Sequence, residues 1–239
     1  MQVTKNCTVC NKEYKVAEAV AHKSRFCSNY CQSISTFKPL NEDERQVILS
    51  TVFGRGQIHL RPLVKKNAHI KLYSKHLDYI TFQKSFLTNL QTSIIMTECR
   101  PTYIKNYPYY VCHAQTHPEI TKIYKDTLAN NFNKLNDLGI TMLFYERGRL
   151  KRRRPRYYYL RLKDVDELFY REVVMPFFRN RYGLTPRLKE SGQYAKEYYI
   201  ILEFRGIRQT KIISKILERY PVPCYQYKVL RYDERNVRR

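Results

Sequence analysis

ILSTVFGRG (residues 48–56) and ITMLFYERG (residues 140–148) are two copies of one pattern, a mostly apolar run of helical length that closes on Arg-Gly. Each copy leads into a basic, aromatic, strand-like stretch and then into an amphipathic helical one. Self-similarity of this kind predicts an internal duplication. Two apolar helices of equal length predict a shared seam between pseudo-two-fold halves.

Composition narrows the partner. The chain has 239 residues, enough for one medium domain plus a small appendage. Lys and Arg number 44 against 21 acids, a net charge of +23, and such an excess in a folded chain is the electrostatic footprint of a polyanion binder. A basic coat serving solubility alone is the plain alternative; the 22 Tyr interleaved with the cations argue against it. No apolar run reaches the roughly 18 residues of a membrane span, and the start lacks a signal-peptide core. The expectation is a soluble, intracellular protein, in the cytoplasm or nucleoid of a host cell, with no membrane partner.

Cys7 and Cys10 form a C-x2-C knuckle, and Cys27 and Cys31 form a C-x3-C pair. Two short-spaced thiol pairs can meet one Zn²⁺ tetrahedrally. Residues 1–35 are too few to hold a core without such a staple. Two disulfides are the alternative, suited to a secreted mini-domain rather than to a basic chain in a reducing compartment. Structural zinc on these four cysteines is therefore expected. Cys99, Cys112 and Cys224 are scattered and read as small core hydrophobes.

After a Pro-containing linker over 36–40, Asn41 with Glu44 makes a capping-box start for the first motif helix. Tyr79, Phe82, Phe86, Leu87 and Leu90 recur at helical spacing, as do Val165, Leu168, Phe169 and Val173, and Ile212, Ile213, Ile216 and Leu217. All three sets read as core stripes. Between them the period drops to two. In HIKLYS, Ile70 and Leu72 alternate with His69, Lys71 and Tyr73; in RYYYLRL, Tyr158, Leu160 and Leu162 alternate with Tyr157, Tyr159 and Arg161. An antiparallel sheet with helices on one face leaves the other open. That open face would carry Gln57, His59, Arg61, His69, Lys71, Arg149, Lys151, Arg153 and Arg161. Long basic and amide side chains at strand spacing suit a DNA major groove. The densest run, Arg149, Lys151, Arg152, Arg153, Arg154 and Arg156, is either part of that surface or a solvated hairpin tip.

Both nonamers resemble the LAGLIDADG helix of homing endonucleases, and the resemblance covers roughly residues 41 to 230. KNAHIKLYSKHLDYITFQKSFLTNL (66–90) resembles the family's strand and Tyr-rich helix, and YYVCHAQTHPEITKIYKDT (109–127) its strand-to-helix turn at His117 and Pro118. KDVDELFYREVVMPFFRNRYGL (163–184) resembles the long helix of the C-terminal half, and YPVPCYQYKV (220–229) the closing Pro-x-x-Tyr-Lys segment. The resemblance implies an α+β fold: a pseudo-two-fold pair of αββαββα halves forming an antiparallel β saddle, behind a small N-terminal zinc-binding module. The corresponding division is 1–35, 41–132 and 133–239.

In that family the residue before the last Gly is an acid that binds catalytic metal; here it is Arg55 in one copy and Arg147 in the other. Arg has no acceptor lone pair and stays protonated, so it cannot hold Mg²⁺. Glu146 stands beside Arg147, but Gly54 occupies the matching place, so no symmetric carboxylate pair remains. The expectation is a monomeric, sequence-specific binder of double-stranded DNA that does not cut and needs no catalytic Mg²⁺, with Arg55 and Arg147 meeting phosphates where metals would sit. Such a binder could regulate transcription of a virus or mobile element. The alternatives are an active endonuclease or nickase using a displaced metal site at Glu146, and a maturase-like RNA binder.

Overall fold

The computed structural model describes residues 1–60, 67–98, 108–151, 156–194 and 197–230. Arg61, Cys99, Arg152, Arg153 and Arg154 lie outside the described residues.

Helix α3 (Glu42–Phe53) opens the first half. Its N-cap is the expected capping box: the Asn41 side chain accepts from Glu44 N, and the Glu44 carboxylate accepts from Asn41 N. Strands β3 (Gln57–His59) and β4 (His69–Ser74) follow, then α4 (Leu77–Ser85), β5 (Thr92–Glu98), β6 (Pro108–Ala114), α5 (Pro118–Lys125) and α6 (Leu128–Asn133). The second half repeats the plan with α7 (Asp137–Glu146), β7 (Gly148–Lys151), β8 (Tyr157–Leu160), a long helix, β9 (Arg187–Tyr194), β10 (Glu197–Phe204) and α10 (Ile207–Glu218). The two antiparallel sheets have orders β3-β4-β6-β5 and β7-β8-β10-β9. Those orders are the same once the repeat is subtracted, so the duplication in sequence is a duplication of topology.

The seam is α3 against α7. Val47, Ile48, Phe53, Ile140, Leu143 and Phe144 are almost wholly buried along it. Two glycines set how closely the helices approach. A Cβ on Gly54 would collide with the Glu146 carboxylate, and one on Gly139 with the Gln46 amide. That amide ties the other end of the seam, donating to Lys134 O and accepting from Asn136 N.

The alternations read from sequence hold. Ile70, Leu72, Tyr158, Leu160 and Leu162 face the helices and are at most 4% exposed. Cys112 is buried and Cys224 half-buried. The stripe in the long helix needs correction at Leu168, which is 59% exposed. The helix begins as α8 (Glu167–Phe169), passes through a π turn (Tyr170–Val174), and continues as α9 (Met175–Tyr182). Pro176 has no N–H to give the carbonyl four residues back, which removes one α-type bond beside the π turn. Tyr170 and Val174 enter the core, and Leu168, about half a turn round the helix from Tyr170, faces out.

At the N-terminus, β1 (Gln2–Asn6) and β2 (Glu13–Ala17) form a hairpin, followed by α1 (Glu18–Ala21) and α2 (Asn29–Thr36). The following linker is fixed beside the N-terminus of α5. Phe37 meets the His117 ring edge-on, His117 Nε2 lies 3.0 Å from Lys38 O, and Leu40 N donates to Glu119. Because Glu119 also pairs with Arg45 on the first turn of α3, the module is attached at the end of the seam away from Arg55.

Candidate nucleic-acid interface and metal centre

The open face of the first sheet is built from register. Gln57 lies opposite Lys71 and His59 opposite His69, while Lys71 and Tyr73 lie opposite His113 and Val111 on β6. His59 and His69 stack with ring centroids 5.3 Å apart. In the second sheet Arg149 lies opposite Tyr159 and Lys151 opposite Tyr157, and β10 and β9 add Glu203 opposite Arg187 and Ile201 opposite Lys189. Arg161 continues the outward phase of β8 and is exposed. Tyr157 has the expected outward phase yet is 7% exposed, because Lys151 and Arg205 lie over its ring at 5.1 and 5.0 Å.

Between the sheets, two adjoining concavities of about 550 and 610 Å³ share Arg55 and Arg147 in their walls. One runs along Arg149, Tyr159 and Arg161, the other along Gln57, Tyr73 and Tyr109, and Lys75 lines both. The two motif arginines are thus brought together at the base of the seam. They are not equivalent. Arg55 is exposed. Arg147 is half-buried, and its Nε and Nη2 donate to Gly54 O at 3.1 and 2.7 Å. Arg147 thereby caps the C-terminus of α3, where unpaired carbonyls and the negative helix end favour a cation. Burial pushes its pKa down, while Glu146 opposes that shift.

Glu146 completes a reciprocal clasp. Its Oε2 accepts from Arg55 N at 2.5 Å, and its Oε1 accepts from the Tyr79 hydroxyl and the Gln83 amide, both at 2.9 Å. Burial raises its carboxyl above the usual range, and those hydrogen bonds together with Arg147 pull it back. The carboxylate is buried and both oxygens are committed to protein donors, so holding a metal would require breaking these bonds.

Lys228 went unrecognised as a site residue in sequence. The closing segment forms a 3-10 turn (Pro223–Lys228) that carries its ammonium under α7. There it donates to Phe144 O, Tyr145 O and Gly148 O at 3.1, 2.5 and 2.9 Å. Burial and the charges of Arg55 and Arg149 bring its pKa down to about 7. Each motif helix therefore ends on a cation drawn from elsewhere in the chain, Arg147 for α3 and Lys228 for α7. Lys75, also missed, had a signal: it extends the alternation His69, Lys71, Tyr73 by one step.

The Sγ atoms of Cys7, Cys10, Cys27 and Cys31 lie within 4.8 Å of one another. Cys10–Cys27 and Cys27–Cys31 are 3.5 Å apart, and Cys31–Cys10 is 3.7 Å. The knuckle is shaped by Asn11 at φ 57°, which returns its N–H to Cys7 O, while Cys31 sits on the first turn of α2. These thiols are not in disulfides and together could hold one metal ion.

A duplicated α+β chain with two four-stranded antiparallel sheets flanking paired helices has the LAGLIDADG homing endonuclease fold. Among solved structures, the homing endonuclease I-WcaI bound to its DNA recognition sequence matches with a TM-score of 0.68 at 10% identity, over 84% of this chain and 92% of that one. I-DmoI in complex with DNA and Ca matches with a TM-score of 0.51 at 12% identity, over 76% of this chain and 94% of that one. No protein-family model and no curated protein matches the sequence. Among the described residues no helix is long and apolar enough to cross a membrane.

Proposed function

We propose that this protein is a sequence-specific, double-stranded DNA-binding protein built on an endonuclease scaffold, and that it leaves its duplex intact. The observation that carries the reading is the clasp at the base of the seam. Arg55 and Arg147 stand where the resemblance would have metal-binding acids, and the neighbouring Glu146 is consumed by Arg55 N, Tyr79 and Gln83. Two-metal cleavage needs carboxylates open to both ion and phosphate. Here the groove offers fixed positive charge instead, from Arg55, Lys75, Arg149 and Arg161, and a guanidinium can pair a phosphate bidentately. DNA in the solved endonuclease complexes supports a duplex as the occupant. A binder that spares its target acts by occupancy, as a transcriptional regulator of a virus or mobile element does.

The halves, 41–132 and 133–239, are fused, so one chain spans the site as a monomer. Their facing residues differ, His59 and His69 against Lys151 and Tyr157, so the site should be only weakly palindromic. Gln57, His59, His69, Lys71, Arg149, Lys151 and Arg161 are the proposed contacts, together with Arg61, Arg152, Arg153 and Arg154 outside the described residues.

Incubating the purified protein with Mg²⁺ or Mn²⁺ and a duplex selected from a random library should give binding and no cleavage. Cleavage that disappears in a folded Glu146→Gln variant would refute the non-cutting reading. Stronger binding to structured RNA than to duplex at matched salt would replace DNA with RNA as the ligand.

Residues 1–35 are proposed as a zinc module. A ZnS4 tetrahedron with bonds of about 2.3 Å has S–S edges of about 3.8 Å, near the sulfur separations here. Protein purified under reducing conditions should carry one equivalent of Zn²⁺, and chelation should unfold the module while the main domain persists, because zinc binding supplies most of the folding free energy of so small a unit. Metal-free protein in which β1 and β2 stay protected from hydrogen exchange would contradict this.

A further inference from the structure

One acid stands among the cations on the open face of the second sheet. Glu203 lies in register opposite Arg187 and beside the Arg205–Tyr157–Lys151 cluster. Its side chain is 3% exposed, so it cannot itself reach a partner, and it would be costly to bury without a use for its charge. Arg205 Nε and Nη2 both close on Glu203 Oε2 at 2.7 Å, Lys189 Nζ lies 4.0 Å from Oε1, and the Tyr157 ring packs under the guanidinium at 5.0 Å. The Arg205 side chain remains 42% exposed.

A guanidinium is planar and trigonal, so when its Nε/Nη2 edge converges on one carboxylate oxygen, its Nη1/Nη2 edge points about 120° away from it and stays unused by that carboxylate. That second edge, on a side chain 42% exposed, presents two parallel N–H donors, the complement of guanine O6 and N7 in a major groove. Holding the side chain against Glu203 and Tyr157 removes rotamer entropy before binding, which turns a flexible cation into a directional one. A phosphate contact would need neither the buttress nor the platform. On the proposal that this face meets duplex DNA, we propose that Arg205 reads a guanine in the half-site under the second sheet, and that Glu203 is its positioning residue.

Selection from a random duplex library by the full-length protein, followed by competition among duplexes differing at single positions, tests this. Wild type should prefer G at one position by on the order of 10- to 100-fold. Arg205→Ala should abolish the preference there and leave every other position unchanged. Arg205→Lys should do nearly the same, because one ammonium lacks the paired edge. Glu203→Gln should relax the same position without changing the slope of affinity against salt. Equal weakening on all sequences in Arg205→Ala would mean a phosphate contact and overturn the assignment, as would an unaltered motif. Arg205→Lys keeps a cation against the buried Glu203 carboxylate, so it should fold even where Arg205→Ala or Glu203→Gln does not. Failure of wild type to bind duplexes at all would overturn the DNA reading itself, an outcome distinct from loss of one position.

Discussion

Raising monovalent salt from about 50 to 200 mM should weaken duplex binding by on the order of three to five powers of ten if six to ten phosphates are contacted. Among the described residues, the cations on the open faces and at the seam include Arg55, Lys71, Lys75, Arg149, Lys151, Arg161, Arg187 and Lys189. Arg147 and Lys228 are excluded because carbonyl oxygens already hold them. Each phosphate neutralised contributes a log-log slope of about −0.9, so six to eight contacts give a slope of about −5 to −7. Titrations at four or five salt concentrations measure it directly. A slope shallower than about −2, or equal affinity for single strands, would mean that the two open faces do not jointly engage a duplex.

Glu146→Ala should destabilise the fold by about 3–5 kcal/mol. The substitution takes this acceptor from the buried Tyr79 hydroxyl and Gln83 amide and from the part-buried Arg55 N–H, at about 1–3 kcal/mol for each donor left unpaired, with Met142 O at 3.4 Å as the remaining acceptor near Tyr79. It also removes the acid beside Arg147 and opens a void against Gly54. Glu146→Gln should cost less, because it keeps the volume and one acceptor. Chemical denaturation of both variants measures the difference, and a loss below about 1 kcal/mol for the alanine would show that the clasp does not hold the seam. The pH dependence has a definite sign. The folded-state pKa of Glu146 is raised, so its contribution is fully present below the unfolded value and declines as pH rises through the folded one. Mild acid should therefore not loosen the seam through this residue, and Glu146→Gln should remove that component.

The four-cysteine cluster, capping box, strand alternation and duplicated motif were legible in sequence because each depends on neighbours a few residues away. Spacing alone brings Cys7 near Cys10 and puts Ile70 and Leu72 on one face. The register of His69, Lys71 and Tyr73 likewise predicts an outward basic row, and its next step, two residues on, is Lys75. The π turn at Tyr170–Val174 was not legible, since a 3.6-residue stripe assumes a uniform helix, and Leu168 was misplaced because apolar residues surround this helix and leave its inward phase, set by Tyr170 and Val174, to the packing.

By itself, the sequence determined that the chain is duplicated, that its helices meet in a seam, that its strands turn a basic face outward, and that arginine stands at both motif ends. Tertiary structure alone decided what those arginines do. Arg55 and Arg147 occupy equivalent places in the repeat, yet one is exposed and the other caps α3 through Gly54 O. The difference comes from contacts 63 to 93 residues apart in the chain, Tyr79, Gln83 and Arg55 N on Glu146 and Arg147 on Gly54 O. Lys228 reaches the end of α7 from still another segment. Hydrogen bonds to backbone carbonyls leave no periodicity in sequence, so the closing of each helix end on a distant cation emerges only when the two halves pack.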